Sequence, residues 1–294
     1  MNSIFFYSKN TIKLLRIPFS VLLMPIFLLA VSQVEDLNIS KTILSFIIIH
    51  LLVYPASNGY NSYIDRDEGS IGGIEKPPMP TKHLFYLTLI MDILAISLAL
   101  ILISVVFSGC ILVYVLASRA YSSKQIRLKK YPIIGFLIVV IFQGAFTYFM
   151  SNIAISNCVL SFSQKNIYIL LACSFQIAGA YPLTQIYQHQ QDLRDNVKTI
   201  SYKLGYKGTF AFTGIMFAVC NIFYYLYFQL TNQMAFFYIL QLFFIPIVIY
   251  YLVWLIKVLK NTNQANFKNT MRMNIIASFC MNCCFILFII LNKV

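Results

Sequence analysis

The chain has 294 residues, 60% of them hydrophobic and only 11% charged, with a mean hydropathy of +0.76. A water-facing surface needs roughly a quarter of all residues charged, so lipid is the solvent for most of this chain. The formal net charge of +13 then reads as basic residues kept on one membrane face against anionic lipid, not as a nucleic-acid footprint.

The bilayer core asks for about 20 apolar residues per helix. The first two stretches that qualify are 17–34 and 42–63. No small-residue cleavage site follows the first, which therefore reads as a retained helix. The second ends in Asn58-Gly-Tyr-Asn61-Ser-Tyr-Ile-Asp65-Arg-Asp67-Glu68. Asn58, Asn61 and Asp65 recur at i, i+3 and i+7, one stripe of a helix. An amide oxygen and a carboxylate on that stripe, with two more carboxylates following, suit a hard cation such as Mg²⁺. Two Asn in an apolar span are costly without partners.

The third and fourth stretches, 84–103 and 105–121, are expected to form an antiparallel hairpin with a turn near Ser108-Gly109. Asp92 stands alone within the third. It reads either as an acid hydrogen-bonded to a neighbouring helix or as a group with a chemical role. At the end of the fourth and just after it come Arg119, Lys124, Arg127, Lys129 and Lys130. Lys124, Arg127 and Lys129 are candidates for gripping phosphate oxygens, provided that the acidic segments lie on the same side.

Stretches 132–154 and 167–188 follow, the latter running into Gln185-Ile-Tyr187-Gln188-His189-Gln-Gln-Asp192-Leu-Arg194-Asp195-Asn-Val-Lys198. Gln185, Gln188 and Asp192 repeat the i, i+3, i+7 stripe. Arg194 and Lys198 put cations beside the acids, a combination that describes a diphosphate site. The last stretches are 208–230, 234–256 and 271–291. Cys280-x-x-Cys283 lies inside the last of them and reads as packing; the seven cysteines form neither a disulfide framework nor a zinc site. The expected architecture is all-α: one domain over 1–294, a bundle of about nine transmembrane helices.

With the N-terminus in the cytoplasm, 19 of the 22 Lys and Arg fall on cytoplasmic segments, leaving Lys41, Lys165 and Lys293 outside. That asymmetry fixes the expected orientation. Six of the nine acids lie in the two cytoplasmic segments described above. Crowded carboxylates need protons or metal ions to neutralise them.

At these residues the chain resembles the UbiA-type intramembrane prenyltransferase superfamily, with nine helices and two Asp-rich motifs after the second and sixth. Asn61 and Asp65 match the first two positions of Asn-x-x-x-Asp-x-x-x-Asp. Gly69 stands at the third, so Asp67 or Glu68 would supply that carboxylate. Tyr121-Ser122 with Arg127-Leu128-Lys129 is similar to the family's Tyr-Ser…Arg-Leu-Lys loop. Tyr181-Pro182, Asp192, Lys198-Thr199 and Gly205 are similar to the second motif and its tail, with Gln188 in place of its first Asp. The loop from Ser70 to Pro78 is longer than usual, and Met79 stands where Arg is common.

The resemblance implies a Mg²⁺-dependent transfer of a prenyl group from a polyprenyl diphosphate to a lipophilic, aromatic-type acceptor, as in quinone or related lipid biosynthesis. It implies a multi-pass protein of the cytoplasmic membrane with its active site facing the cytoplasm. Asp65 and Asp192 would be catalytic. The metal set would be drawn from Asn61, Asp65, Asp67, Glu68, Gln188 and Asp192, and the diphosphate set from Lys76, Lys124, Arg127, Lys129, Arg194 and Lys198. A cyclase or diphosphate-ionising enzyme of the same fold, with no external acceptor, is the nearest alternative. A transporter is the rival from another class, but the charges cluster at interfaces rather than at the midplane between repeated halves.

Overall fold

A computed structural model of the chain describes residues 9–156, 161–194 and 196–292; Cys158, Asp195 and Lys293 lie outside the described residues. Nine helices among the described residues are long and apolar enough to cross a membrane. They are α1 (Lys9–Ser32), α2 (Ile39–Asp65), α3 (Lys82–Leu102), α4 (Val105–Ser122), α5 (Pro132–Ser156), α6 (Gln164–Gln185), α8 (Ile200–Leu230), α9 (Met234–Lys260) and α10 (Phe267–Leu291). A short α7 (His189–Arg194) lies between α6 and α8.

Helices that face lipid turn aliphatic side chains outward and polar ones in. Ile93 is 65% exposed while its neighbour Asp92 is 6% exposed. The α3–α4 turn falls at Ile103-Ser104, not at Ser108-Gly109, which lie inside α4. Ser104 decides the position: its side chain caps α4 by accepting from the Phe107 N–H at 3.1 Å, satisfying one of the orphan donors of a helix start.

Two helices enter the bundle broken. Arg16 adopts a left-handed conformation (φ 53°) inside α1, just ahead of Pro18. Gly205 (φ 67°, ψ 178°) breaks α8 after its first turn, a geometry that glycine tolerates without a Cβ clash. A π-helical turn, Ile141–Phe146, interrupts α5. There a Cβ on Gly144 would come within 2.7 Å of the Ser174 backbone on α6. Only a residue without a side chain lets these two helices approach so closely.

The half of the bundle away from α7 is solid. Leu29, Ala172, Cys173, Cys220, Tyr224, Phe228, Leu240, Cys284, Phe285 and Phe288 are each fully buried in one continuous cluster. Tyr224 donates its hydroxyl to Gln176 Oε1 at 2.7 Å, which fixes the upper rim of this aromatic plug.

Asp92 is paired. The Arg119 guanidinium from α4 donates to its carboxylate, through Nε at 2.9 Å and also through Nη2, and reaches the Thr88 carbonyl at 3.3 Å. The same guanidinium lies 3.9 Å above the centroid of the Tyr60 ring on α2. One ion pair therefore ties α2, α3 and α4 together. Removing one member strands a buried charge, so Asp92→Ala should lower unfolding stability in detergent by roughly 3–5 kcal/mol. The double variant Asp92→Leu, Arg119→Met should recover most of that loss in the same thermal-unfolding measurement.

His189 anchors α7. Its ring contacts Ser201 Oγ at 2.8 Å and stacks on Tyr206 at 4.9 Å. Burial lowers its pKa to about 4, so the folded chain holds it neutral while the unfolded chain binds a proton below about 6.5. Stability is therefore retained above pH 6.5 and falls as the pH drops toward 4. Thermal unfolding from pH 7.5 to 4.5 should register a decline that His189→Gln reduces by about 2 kcal/mol.

Candidate active site

The end of α2, the loop behind it and the α6–α7 junction meet around one cavity of about 330 Å³, which α1, α4, α5, α8, α9 and α10 complete. Asn61 lies on α2 and Asp65 is its last residue, where Arg66 stops the helix by turning left-handed (φ 55°). The loop then folds on itself: Ile71 and Ile74 exchange backbone hydrogen bonds at 2.9 Å. Both isoleucines are buried against Leu14, Leu15, Ala56 and Leu84. The apolar pair anchors this segment over α1 and α2, and so holds Asp67 near the cavity.

α6 ends at Gln185 instead of continuing through residue 188. The chain re-enters a helix at His189. The expected i, i+3, i+7 stripe is therefore not one helical face, yet Gln185, Gln188 and Asp192 all line the cavity. The two acidic segments are joined directly. Gln188 Nε2 donates to the Ser70 carbonyl at 3.0 Å, and Gln191 Nε2 donates to Asp67 Oδ1.

Asn61, Asp65, Asp67, Gln188, Asp192 and Lys129 share the cavity wall. Lys129 is ion-paired with Asp65. Asn61 Oδ1 accepts from Ser122 Oγ at 2.8 Å, which ties the Tyr121-Ser122 segment to the α2 stripe. Glu68 and Arg194 line an adjoining polar cleft instead. Gly69 also faces that cleft, where a Cβ would collide with the Gln191 carboxamide. Of the two acids near the third motif position, Asp67 is the one that reaches the cavity. Lys76, Lys124 and Lys198 are exposed and Arg127 is half-buried; none of the four lines it.

Arg16 is the residue that sequence reasoning passed over. Its left-handed turn directs a buried guanidinium into the cavity wall, where Nη2 donates to the Asn58 carbonyl at 3.1 Å. In the sequence it was one more basic residue at a helix entry, the place where the positive-inside pattern puts many. The Arg-x-Pro spacing, which favours a turn before the helix, was the available signal. Tyr187 lies within the field of this arginine. Burial raises its phenol pKa, against the pull of Arg16 and with the push of Asp67 and Asp192, so it stays protonated.

Asp65 Oδ1, Asn58 Nδ2 and Gln185 Oε1 are buried and have no hydrogen-bond partner. Buried polar atoms in that state are uncommon and call for an explanation. Every cavity group with metal affinity offers oxygen; neither His nor Cys lines the wall. Among the described residues no three His, Cys, Asp or Glu side chains gather closely enough to form a metal cage by themselves. Three carboxylates face two cationic side chains, Arg16 and Lys129. Such a wall suits a ligand that brings both further oxygens and compensating metal charge.

The comparisons with known proteins agree on the fold. The chain aligns along 96% of its length with a UbiA homologue from Archaeoglobus fulgidus bound to DMAPP and Mg²⁺, at TM-score 0.67 and 15% identity, covering 99% of that chain. An apo UbiA homologue from Aeropyrum pernix K1 matches at TM-score 0.68 and 15% identity, over 92% of this chain and 98% of the other. A digeranylgeranylglyceryl phosphate synthase structure matches at TM-score 0.60 and 17% identity, over 97% and 99%. No curated protein matches the sequence. The UbiA prenyltransferase family matches residues 19–276. With nine helices in that arrangement and a family match across most of its length, this chain belongs to the UbiA prenyltransferase family.

Proposed function

We propose that the chain transfers a prenyl group from a prenyl diphosphate to a lipophilic acceptor in a Mg²⁺-dependent reaction of quinone or related lipid biosynthesis. The observation that carries this reading is the meeting of oxygen ligands from two distant segments, Asn61–Asp67 and Gln188–Asp192, beside Lys129 and Arg16 in one cavity. Solved homologues bound to Mg²⁺ with DMAPP or with GPP support it. The excess of basic residues on the loops of this face orients it toward the cytoplasm.

The residues fit Mg²⁺. This ion commonly takes one or two carboxylates and completes its shell with substrate phosphate and water, which accounts for a site without a protein-only cage. Asn61, Asp65 and Asp192 would hold it, with Asp67 and Gln188 adjacent. When bound, the metal withdraws electrons from the diphosphate. Lys129 and Arg16 would hold phosphate oxygens of the donor by charge-assisted hydrogen bonds. Lys129 is thereby shared between Asp65 and the donor.

In the reaction the donor C1–O bond breaks and its electron pair leaves with the diphosphate. C1 then bonds to a nucleophilic atom of the acceptor, which releases a proton. The carbon end lies among Tyr114, Tyr121, Phe142 and Tyr181, all on the cavity wall. Aromatic faces stabilise a developing cation by about 0.5–2 kcal/mol each. The enclosing helices keep water from trapping it.

Purified chain given geranyl diphosphate, Mg²⁺ and a lipid extract of its own membranes as the acceptor source should release pyrophosphate, and EDTA should stop the release until Mg²⁺ is restored. Release that persists in EDTA would sink the metal-dependent reading. Asp65→Asn and Asp192→Asn should each reduce kcat at least about a hundredfold, the scale of a lost electrostatic stabiliser. Arg16→Lys keeps the charge but loses the fork, and should raise the donor KM roughly tenfold. An unchanged KM would remove Arg16 from the diphosphate site.

A further inference from the structure

Asp92 lies inside the membrane-spanning α3, yet it lines neither the cavity nor the polar cleft. A buried ion pair such as Asp92–Arg119 is a weak source of stability, since well-packed apolar groups in its place do as well or better. Its presence in an apolar span points to a second use.

The contacts around the pair close on a metal ligand. α3 is seated on α2 at Gly59, where a Cβ would come within 2.9 Å of the Thr88 side chain and 3.1 Å of Leu84. Thr88 lies one turn before Asp92, and its carbonyl accepts from the Arg119 guanidinium at 3.3 Å. α3 therefore carries Asp92 at a fixed place relative to α2. Arg119 Nε donates to that carboxylate at 2.9 Å, and the guanidinium lies 3.9 Å above the Tyr60 ring. Arg119 is thus held by α2 and α3 at once.

That grip fixes the rotation of α4. This helix presents Tyr114, Ala117, Ser118, Tyr121 and Ser122 to the cavity, one face at spacings of three and four. Arg119 sits beside that face, toward α3. Lipid tails are as apolar as the helix sides, so aliphatic packing alone fixes rotation weakly; a forked ion pair is directional. A slip of one residue would turn α4 by about 100° and take Ser122 away from Asn61. In place, Ser122 Oγ donates to Asn61 Oδ1 at 2.8 Å. An amide oxygen has two lone pairs, so Ser122 aims the carboxamide and leaves one lone pair for a cation.

We propose that the Asp92–Arg119 pair is a positioning device for the metal site: it sets the rotation of α4 so that Ser122 aims the oxygen of Asn61 at the cation. On the prenyl-transfer reading, which this assignment depends on, both residues act through Asn61 and touch neither metal nor donor.

The test uses the purified full chain and geranyl thiolodiphosphate, an uncleaved donor analogue, with the Mg²⁺ concentration for half-maximal binding as the readout. The variant Asp92→Leu, Arg119→Met replaces the pair by apolar groups and should raise that concentration at least about tenfold, the scale of a lost supporting contact. Ser122→Ala, which removes the link and leaves the pair intact, should give a similar rise. In an Asn61→Ala background the double substitution should add less than about twofold, because its effect passes through that residue. Should the double variant not fold, Arg119→Lys keeps the charge, loses the fork and shifts the requirement in the same direction. A wild-type Mg²⁺ requirement in a folded pair variant, or a shift of equal size with and without Asn61, would overturn the positioning role. Failure of the prenyl-transfer reading looks different: the wild-type chain then binds the analogue without regard to Mg²⁺.

Discussion

Carboxylates cannot be gathered beneath a membrane surface unless positive charge is delivered to them, and the architecture of this chain follows from that need. Asp65 is neutralised by Lys129, which arrives on the loop after α4. Arg16 comes from the opposite side through a left-handed turn. Each supporting segment is a break in a helix: the turn at Arg16, the end of α2, the α6–α7 junction and the kink at Gly205. Non-helical backbone is tolerated at membrane depth where it is buried in protein or lines a polar cavity. The turn at Arg16, the end of α2 and the α6–α7 junction thus lie where charge is brought in, and the opposite half of the bundle holds close-packed aromatics.

The second buried charge, Asp92, obeys the same rule and also bears on the site. Arg119 pairs with it and lies over Tyr60, while Ser57 meets Ser118 at 2.6 Å and Ser122 donates to Asn61 at 2.8 Å. The Ser57–Ser118 and Asn61–Ser122 contacts lie one turn (i, i+4) apart on both α2 and α4, with the Tyr60–Arg119 contact between them. In lipid a polar contact between helices has no competing water, so the row fixes the register of α4 against α2. Asn61 takes its position from that row, four residues beyond its start at Ser57.

How much of this was legible in the sequence follows from which patterns are one-dimensional. Apolar runs and charge asymmetry are, and seven of the nine spans among the described residues emerged within about four residues of their ends, while the first and the seventh were read as starting eight residues late, just past the breaks at Arg16 and Gly205. The stripes of Asn and Asp marked both halves of the site because polar residues in an apolar helix stand out against their surroundings. Which cation turns inward is three-dimensional. Lys124, Lys129 and Lys198 look alike in a basic loop, but among the described residues it is Lys129 that pairs with a carboxylate, after Arg127 turns left-handed (φ 45°) and a short 3₁₀ turn follows. Arg16 was hidden by the same ambiguity. The end of α6 at Gln185 was obscured because Gln, His and Asp continue a helical stripe as readily as they end one.

The two departures from the family's acidic motifs, Gly69 and Gln188, form a coherent pair in this setting. Gly69 faces the adjoining cleft under Gln191, which in turn holds Asp67. Gln188 spans to the Ser70 carbonyl, a bond that a carboxylate has no hydrogen to make. Two unit charges 6 Å apart repel by about 3 kcal/mol at an effective dielectric of 20. Each carboxylate left out removes repulsion of that order from the metal-free protein, and the glutamine also donates a bond that closes the loop over the cavity. The cost is a weaker grip on the cation before the donor binds. On the prenyl-transfer reading proposed above, the donor diphosphate would supply the missing oxygens, so metal and donor would hold each other in place more than in a site with a full complement of acids.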